Sequence, residues 1–227
     1  MQELNIFTSE DLSPKANRAL KHLKKEILFG NYTGGDHLSA PRIAETLDIS
    51  RVPVREAIKE LEKMGIVKTI PRKGSFVIDF TDEDINEIYD IRIMLEGKIL
   101  KILIEERLLT TEDLNQLESY AERMLEIAEA AEMDKQDVID FMHNDINFHH
   151  ILWKRSGRRI SYEILINNYM QLEIAMISDY ALEANFEQTA SNHLWIVEKL
   201  GERDIEGSRR ALIEHIYTHN DKLEEIL

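Results

Sequence analysis

A chain of 227 residues with 43% hydrophobic side chains is long enough for one large domain or two smaller ones. The absence of cysteine excludes disulfides, thiolate zinc sites and a cysteine nucleophile, so any metal site must use imidazole and carboxylate ligands. No stretch has the ~18 uncharged apolar residues of a membrane span, and the first twenty residues lack a signal-peptide pattern, so we expect a cytoplasmic protein.

The formal net charge of −15 at pH 7 is distributed unevenly along the chain. Residues 1–80 carry 13 basic and 11 acidic side chains, whereas residues 81–227 carry 15 basic and 32 acidic ones. Strand signals also end near residue 80, and helical periodicity continues beyond it. We therefore predict two domains, at 1–79 and 80–227, with the basic working surface confined to the first.

Three helices are predicted in the first domain. The first begins near Asn17 and ends at Gly30, and a loop rich in Gly and Asn follows it. The segment APRIAETL predicts a second helix, and a third runs from about Arg51 to Met64 after the short turn DIS. Two helices joined by so few residues are typical of a helix-turn-helix motif.

The start of the third helix is a candidate DNA-binding surface. In a helix-turn-helix motif, the N-terminal end of the second helix enters the major groove. Arg51 and Arg55 lie one turn apart there, and their guanidinium groups can bind a guanine edge or phosphates. Ser50 is expected to cap the helix and to offer its hydroxyl to a phosphate. Such an arginine pair, taken alone, is more often an ordinary solvated surface feature.

The segment that follows favours the DNA-binding interpretation. VKTIPRKGSFV predicts a β-hairpin whose turn is PRKG. Arg72 and Lys73 lie at its tip, before Gly74, where they would contact the DNA backbone or the minor groove. The order of helix, turn, basic helix and basic hairpin predicts a winged helix-turn-helix domain.

SRVPVREAIKELEKMGIV…PRKGSFV, extended by LSAPRIAETLDI, resembles the winged-helix domain of GntR-type bacterial transcription regulators over about residues 15–78. The resemblance implies binding to a double-stranded DNA operator as a homodimer, with the arginine pair contacting bases and phosphates and the wing reaching the minor groove. Many relatives carry an arginine at the position of Pro41. This chain has Arg42 one position later, which is a further candidate contact.

From Thr81 onward, the sequence predicts only helices. TDED at 81–84 and TTED at 110–113 resemble capping boxes, each followed by apolar residues at helical spacing. The predicted fold is mainly α, a winged helix-turn-helix (three helices plus a β-hairpin) followed by an all-α helical bundle of about six helices. Those six helices are predicted at 82–108, 111–131, 135–156, 159–182, 186–201 and 204–226.

Four side chains of the predicted bundle have the spacing of a metal site. Asp145 and His149 lie four residues apart and project from the same face of one helix. His193 and His215 lie roughly 12 Å and 16 Å from the joint between two helices, so an antiparallel arrangement brings them level. Such ligands suit a divalent Zn, Ni, Mn or Fe ion with open positions. Judged by spacing alone, these four residues are better explained as a chance arrangement than as a metal site.

The segments DFMHNDINFHHILWKRSG and NHLWIVEKLGERDIEGSRRALIEH resemble the FCD ligand-sensing domain that is attached to GntR winged helices, over about residues 82–222. In metal-binding members the ligands are an Asp and a His four residues apart and two later histidines. The same four residues of this chain match those positions. The resemblance implies a helical pocket in which a small organic acid effector meets a divalent metal ion and modulates DNA binding.

Two arginines are candidate effector-binding residues. Arg92 matches an inward-facing arginine on the first helix of such domains, where it would pair with an effector carboxylate. The alternative for Arg92 is a salt bridge to Glu96, four residues later. Arg158 follows Ser-Gly at a position where relatives commonly carry Asn, so it either replaces a pocket contact or changes the class of ligand.

Three functions are compatible with these patterns. The leading hypothesis is a DNA-binding transcription regulator whose metal-containing domain senses a small carboxylate. A metal-dependent hydrolase or oxygenase in an all-α bundle is an alternative, because three histidines and an aspartate can activate water. No general base is evident beside the four residues, so no catalytic residue is predicted. The third possibility is a sensor of the metal ion itself.

Overall fold

The computed structural model describes residues 12–130, 133–179 and 185–218. These residues form two compact units: one contains 12–85 together with 169–179, and the other contains 86–130, 133–168 and 185–218. The domain boundary at 79/80 stays a prediction; this grouping places residues 169–179, part of a C-terminal helix, with the first unit. Residues that are distant in sequence can belong to one compact unit, because a unit is defined by which segments pack together.

Within residues 12–81, the first unit contains three helices, α1 (Pro14–Leu28), α2 (Ala40–Thr46) and α3 (Arg51–Lys63). Helix α1 packs against α3, and α2 also packs against α3. Their apolar faces form a shared core because buried positions recur at helical spacing on each of them. This core includes Ala16, Ala19, Leu20, Leu23, Ile43, Val54, Ala57 and Leu61.

The predicted hairpin is confirmed as part of a small antiparallel sheet. Its strands are β1 (His37–Leu38), β2 (Val67–Ile70) and β3 (Gly74–Val77), in the order β1-β3-β2. Strands β2 and β3 form the hairpin, in which Val67 pairs with Val77. Strand β1 was not predicted, because two residues are too short to show an alternating pattern and their pairing depends on the distant edge of β3.

Beyond residue 81, the described residues form six helices in the predicted order, so the mainly helical fold is confirmed. They are α4 (Asp82–Glu105), α5 (Thr111–Ala128), α6 (Lys135–Arg155), α7 (Arg159–Asp179), α8 (Phe186–Glu202) and α9 (Ile205–Ile216). Helix α4 ends three residues before its predicted end, and Arg107 beyond it adopts a left-handed conformation at φ 54°. The predicted helix ends at 131, 182 and 226 lie outside the described residues.

Both predicted capping boxes are formed. Thr81 and Asp84 exchange hydrogen bonds between side chain and backbone at the start of α4. Thr110 and Asp113 do the same at the start of α5, which satisfies amide groups that lack a partner within the helix.

In the second unit, α5 packs against α6 and α8, and α8 packs against α9. The buried side chains at these contacts include Leu117, Ala121, Met124, Phe148, Leu152, Ile196 and Leu212. This packing brings the inner faces of α6, α8 and α9 together, where the predicted metal ligands lie. Across the described residues, no helix has the combination of length and apolar character that is needed to cross a membrane.

Candidate metal centre and nucleic-acid interface

One carboxylate and three imidazoles converge inside the second unit. Helix α6 supplies Asp145 and His149, α8 supplies His193, and α9 supplies His215. Each offers a ligand atom, and these atoms lie within 4.8 Å of one another. The ring centroids of His193 and His215 are 4.1 Å apart, and those of His149 and His215 are 5.0 Å apart. All four residues are buried. The four residues are called the Asp–His cluster below.

The hydrogen bonds of His193 leave one of its nitrogens facing a carboxylate. Its Nδ1 lies 2.8 Å from the carbonyl oxygen of Thr189, which can only accept a hydrogen bond, so Nδ1 carries the proton. Its Nε2 lies 3.0 Å from Asp145 Oδ1. When the ring is protonated, Nε2 donates to this carboxylate; when the ring is neutral, Nε2 is an acceptor and two acceptors face each other. A cation between them would satisfy both.

His149 and His215 approach each other through their Nε2 atoms, which are 3.1 Å apart. His149 Nδ1 lies 2.8 Å from Glu96 Oε2 on α4. His215 Nδ1 is buried and has no hydrogen-bond partner among the described residues. Ligand atoms bound to one ion at about 2.0–2.1 Å lie roughly 3 Å apart, so the spacing of these nitrogens fits a shared ion.

The electrostatics of the Asp–His cluster favour the protonation states that metal binding requires. Burial acts to raise the pKa of Asp145, but the hydrogen bond and charge of His193 lower that pKa well below its usual range. Burial, together with the neighbouring His193 and His149, lowers the pKa of His215 well below its usual range. The carboxyl group of Asp145 is therefore ionised and the ring of His215 is neutral, so both have lone pairs for a divalent cation.

Arg92 reaches the Asp–His cluster from α4. Its Nε donates to Glu96 Oε1 at 2.7 Å, which is the salt bridge that was the alternative interpretation of this residue. Its Nη2 also lies 3.3 Å from His149 Nε2. The structure therefore brings Arg92 to the cluster while one of its nitrogens binds Glu96.

Arg158 lies elsewhere. It follows the C-terminal end of α6, its side chain is 54% exposed, and its Nη2 lies 3.7 Å from Glu106 Oε1. The structure does not bring Arg158 into the Asp–His cluster, and the reason is local: the turn at Gly157, with φ 66°, redirects the chain between α6 and α7.

The sequence pattern does not indicate two groups that lie beside the Asp–His cluster. Spacing predicts Glu96 only as a partner of Arg92, whereas the structure shows that Glu96 also contacts His149. The carbonyl of Thr189 bonds His193 one turn along the same helix, and a backbone acceptor gives no sequence signal. The signal available for Glu96 was its spacing of four residues from Arg92, which places both side chains on one face of α4.

The start of α3 presents the predicted DNA-binding side chains to solvent. Ser50, Arg51 and Arg55 are all exposed, while Val54 and Leu61 on the other face are buried. Ser50 occupies the capping position, but its side chain makes no capping hydrogen bond, which differs from the prediction. Val52 was not predicted to take part, and it is 61% exposed beside the two arginines.

The other predicted DNA contacts lie in α2 and in the wing, the hairpin of β2 and β3. Arg42 is exposed in the first turn of α2, and Arg72 and Lys73 are exposed at the tip of the hairpin. Gly74 is partly buried with φ 112°, and a Cβ there would collide with the ring of His37. A glycine is therefore required both by the backbone conformation and by the neighbouring strand.

Comparisons with known families agree with this architecture. Residues 15–77 match the model of the bacterial regulatory proteins, gntR family, and residues 87–218 match that of the FCD domain. The chain is 27% identical over 224 residues to an uncharacterized HTH-type transcriptional regulator of Bacillus subtilis, YdhC, covering 99% of this chain and 97% of that protein. It is 24% identical over 235 residues to the gluconate operon transcriptional repressor of Bacillus licheniformis, covering 99% and 93%.

Solved structures share the fold. Escherichia coli McbR/YncC superposes with a TM-score of 0.75 at 22% identity, over 94% of this chain and 99% of that one. A GntR regulator of Rhodococcus sp. RHA1 gives a TM-score of 0.74 at 20% identity, over 95% and 100%. The relatives are transcriptional regulators and not enzymes. The chain therefore belongs to the GntR family of bacterial transcriptional regulators, with an FCD domain following its helix-turn-helix domain.

Proposed function

We propose that this regulator binds operator DNA through residues 1–79 and senses a small carboxylate through a divalent metal ion held in residues 80–227. The observation that carries the proposal is the convergence of Asp145 with three buried imidazoles. A carboxylate and three imidazoles whose ligand atoms lie this close together in a buried site form a donor set that suits a divalent cation.

The Asp–His cluster would hold a Zn, Ni, Mn or Fe ion. These ions bind imidazole nitrogen and carboxylate oxygen. When the ion has a coordination number of five or six, four protein ligands leave one or two positions for a bound acid. When bound, the metal would supply positive charge and Lewis acidity to bind an anion. The protein supplies a dry interior, because His149 and His193 are fully buried.

Arg92 is the side chain proposed to bind the effector. A guanidinium remains charged at any physiological pH, and its planar fork of N–H donors matches the geometry of a carboxylate. Its Nη2 lies near His149, which places a positive group beside the proposed metal. A carboxylate bound between the metal ion and Arg92 would be attracted by the positive charge of each.

Operator binding is assigned to exposed groups of the first unit. Arg51 and Arg55 would read base edges or phosphates from the start of α3, and Ser50 and the first-turn amides would contact a phosphate. Arg42 and the wing residues Arg72, Lys73 and Gly74 would contact the backbone or minor groove. The chain would bind as a homodimer, because helix-turn-helix regulators read paired half-sites.

Val52 adds an apolar group to this face. Val52 is exposed next to Arg51 in the first turn of α3, at the end of the helix that would enter the groove. The 5-methyl group of thymine is the apolar feature of the major groove. Val52 is therefore proposed to contact a thymine methyl.

The test of effector binding is a thermal-shift screen of the metal-loaded protein against small carboxylates and sugar acids. Gluconate belongs in the panel because relatives are named as gluconate operon repressors. A ligand at 100 times its dissociation constant should stabilise the folded protein by about 2.7 kcal/mol. The same acid should give no shift with His193→Ala, and it should change the affinity of the wild type for DNA selected from a random duplex library.

The outcomes separate the sensor classes. A shift with an acid that requires both metal and His193 supports the proposed carboxylate sensor. If no acid shifts the protein, but metal alone changes DNA affinity, the metal ion itself is the signal. If metal neither binds nor stabilises the wild type, the proposed metal centre is wrong.

A further inference from the structure

We propose that Glu96 is a positioning residue for the candidate metal centre: its carboxylate keeps the proton of His149 on Nδ1 and directs Nε2 of that ring toward the other ligands. This inference rests on the metal centre proposed above and extends it to a residue outside the ligand set. It concerns the tautomer and orientation of one ring, which can be measured directly.

Glu96 is a buried carboxylate surrounded by donors. Its Oε1 accepts from Arg92 Nε at 2.7 Å, and its Oε2 accepts from Trp153 Nε1 at 3.0 Å. The same Oε2 lies 2.8 Å from His149 Nδ1. Arg92 and Trp153 can only donate hydrogen bonds, so the carboxylate acts as an acceptor toward every partner. His149 must then present an N–H at Nδ1.

The other nitrogen of His149 is consistent with this tautomer. Arg92 Nη2 lies 3.3 Å from His149 Nε2, and a guanidinium nitrogen can only donate there. Nε2 is therefore the nitrogen with the lone pair, and it is also the atom that lies 3.1 Å from His215 Nε2. Glu96 on one side of the His149 ring therefore makes Nδ1 the donor, and the groups on the other side make Nε2 the acceptor.

Packing also fixes the orientation of the His149 ring. The rings of His149 and Trp153 are stacked with centroids 5.7 Å apart, one turn apart on α6. Because Trp153 donates to the oxygen that His149 contacts, the stacked pair and the carboxylate hold one another in place. A metal ligand that is held in this way loses less rotational freedom on binding the ion.

The three histidines of the cluster differ in the group that contacts their Nδ1 atoms. His193 Nδ1 bonds a neutral carbonyl, and no ion pair of the described residues involves His215 Nδ1. His149 alone of the three contacts a carboxylate through Nδ1 in the described structure. A carboxylate partner raises the basicity of the ligating nitrogen more than a neutral acceptor does. Loss of the Glu96 charge should therefore weaken metal binding without removing any ligand.

The experiment compares the wild type with Glu96→Gln, which keeps the shape of the side chain and removes its charge. Two-bond proton–nitrogen correlation spectra of the metal-free protein report which nitrogen of His149 carries the proton. Competition with a chelator reports Zn²⁺ affinity. We expect the wild type to hold the proton on Nδ1, and Glu96→Gln to lose affinity about 10- to 100-fold.

Asp113→Asn is the matched control. Asp113 is also a buried carboxylate of the second unit with an arginine partner, Arg155, and it does not contact the Asp–His cluster through any ion pair in the described structure. This control should keep wild-type Zn²⁺ affinity even if it is less stable. If Glu96→Gln does not fold, Trp153→Phe removes one donor to the same oxygen and should weaken Zn²⁺ binding to a smaller extent.

The results separate this inference from the metal centre on which it rests. A folded Glu96→Gln protein with unchanged Zn²⁺ affinity, or a wild type with the His149 proton on Nε2, would overturn the role of Glu96. A wild type that has the Nδ1 proton and binds no metal would instead overturn the metal centre.

Discussion

His193 Nε2 lies 3.0 Å from Asp145 Oδ1, although Nδ1 of the same ring already faces the carbonyl of Thr189. The bond to Thr189 fixes the proton of a neutral ring on Nδ1, so a neutral His193 turns the lone pair of Nε2 toward the Asp145 carboxylate. This arrangement of two acceptors in a buried site is costly by itself and is favourable with a cation between them. The pair is therefore a sensitive place to test the metal centre.

Replacement of His193 by Ala should abolish tight metal binding. The change removes a ligand, and loss of even a partner outside the ligand set costs about 10- to 100-fold in affinity, so we expect a loss of more than about 100-fold. Metal content after dialysis and competition with a chelator measure it. The control is His150→Ala, because His150 is adjacent to His149 but contacts the ring of Tyr162. Equal metal affinity in both variants would contradict the assignment.

Replacement of Arg92 by Lys should weaken effector binding more than metal binding. Lysine keeps the charge and lacks the planar fork, and a hydrogen bond to a charged group contributes ~1.5–3 kcal/mol, or about 10- to 150-fold in affinity. Calorimetric titration of the metal-loaded variant with the acid found in the thermal screen measures this. Arg158→Ala should leave the affinity unchanged, because Arg158 is exposed beside Glu106. A larger effect at Arg158 would support the original prediction for that residue.

The double variant Arg51→Ala/Arg55→Ala should lose operator binding and remain folded, since both side chains are exposed. Each phosphate contact removed should also reduce the slope of log affinity against log salt by about 0.9. Electrophoretic mobility shift over a range of salt concentrations measures both quantities. Arg123→Ala is a control because Arg123 is an exposed arginine of the second unit paired with Glu126. Normal footprinting by the double variant would refute the DNA-binding assignment of α3.

The proposed contact between Val52 and a thymine methyl can be tested by removing the methyl group from the DNA. Replacing single thymines of the selected operator with deoxyuridine should reduce wild-type affinity about fourfold at one position in each half-site. Val52→Ala should bind the thymine and deoxyuridine operators more equally. If every deoxyuridine operator binds like its thymine parent, Val52 does not read a methyl group.

Asp113 should stabilise the second unit through hydrogen bonds at the start of α5 and at the end of α6. It accepts from the Thr110 backbone in the capping box of α5, and its Oδ1 accepts from Arg155 Nε at 2.9 Å. Asp113→Ala should lower the free energy of unfolding by about 2 kcal/mol, the upper part of the range for a lost cap, because a half-exposed arginine also loses its partner. Urea denaturation followed by circular dichroism measures the change.

The contribution of Asp113 should depend on pH in a defined direction. Burial acts to raise its pKa, but the hydrogen bonds from Thr110 and the charge of Arg155 prevail and lower the pKa below its usual value. A carboxyl group whose pKa is lower in the folded protein stabilises it above the unfolded pKa of about 3.9 and loses that effect as pH falls through the folded pKa. The stability difference between wild type and Asp113→Asn should therefore be full at neutral pH and shrink in acid.

Helices and their starting points were predictable because their causes are local. Thr81 with Asp84 and Thr110 with Asp113 are close in sequence, and the reciprocal hydrogen bonds that they form need no other part of the chain. The short strand His37–Leu38 was not predictable in this way. It exists because Leu38 pairs with Ser75, and a pairing across so many residues leaves no periodic pattern in either segment.

The amino-acid sequence by itself determined the order of helices, the helix-turn-helix with its wing, and the four ligand types of the proposed metal centre. Only the tertiary structure decided that these ligands meet, that Glu96 contacts His149, and that Arg158 stays apart from them. The physical reason is that spacing along a helix fixes the face on which a side chain lies, whereas the packing of α4, α6, α8 and α9 fixes which faces come into contact.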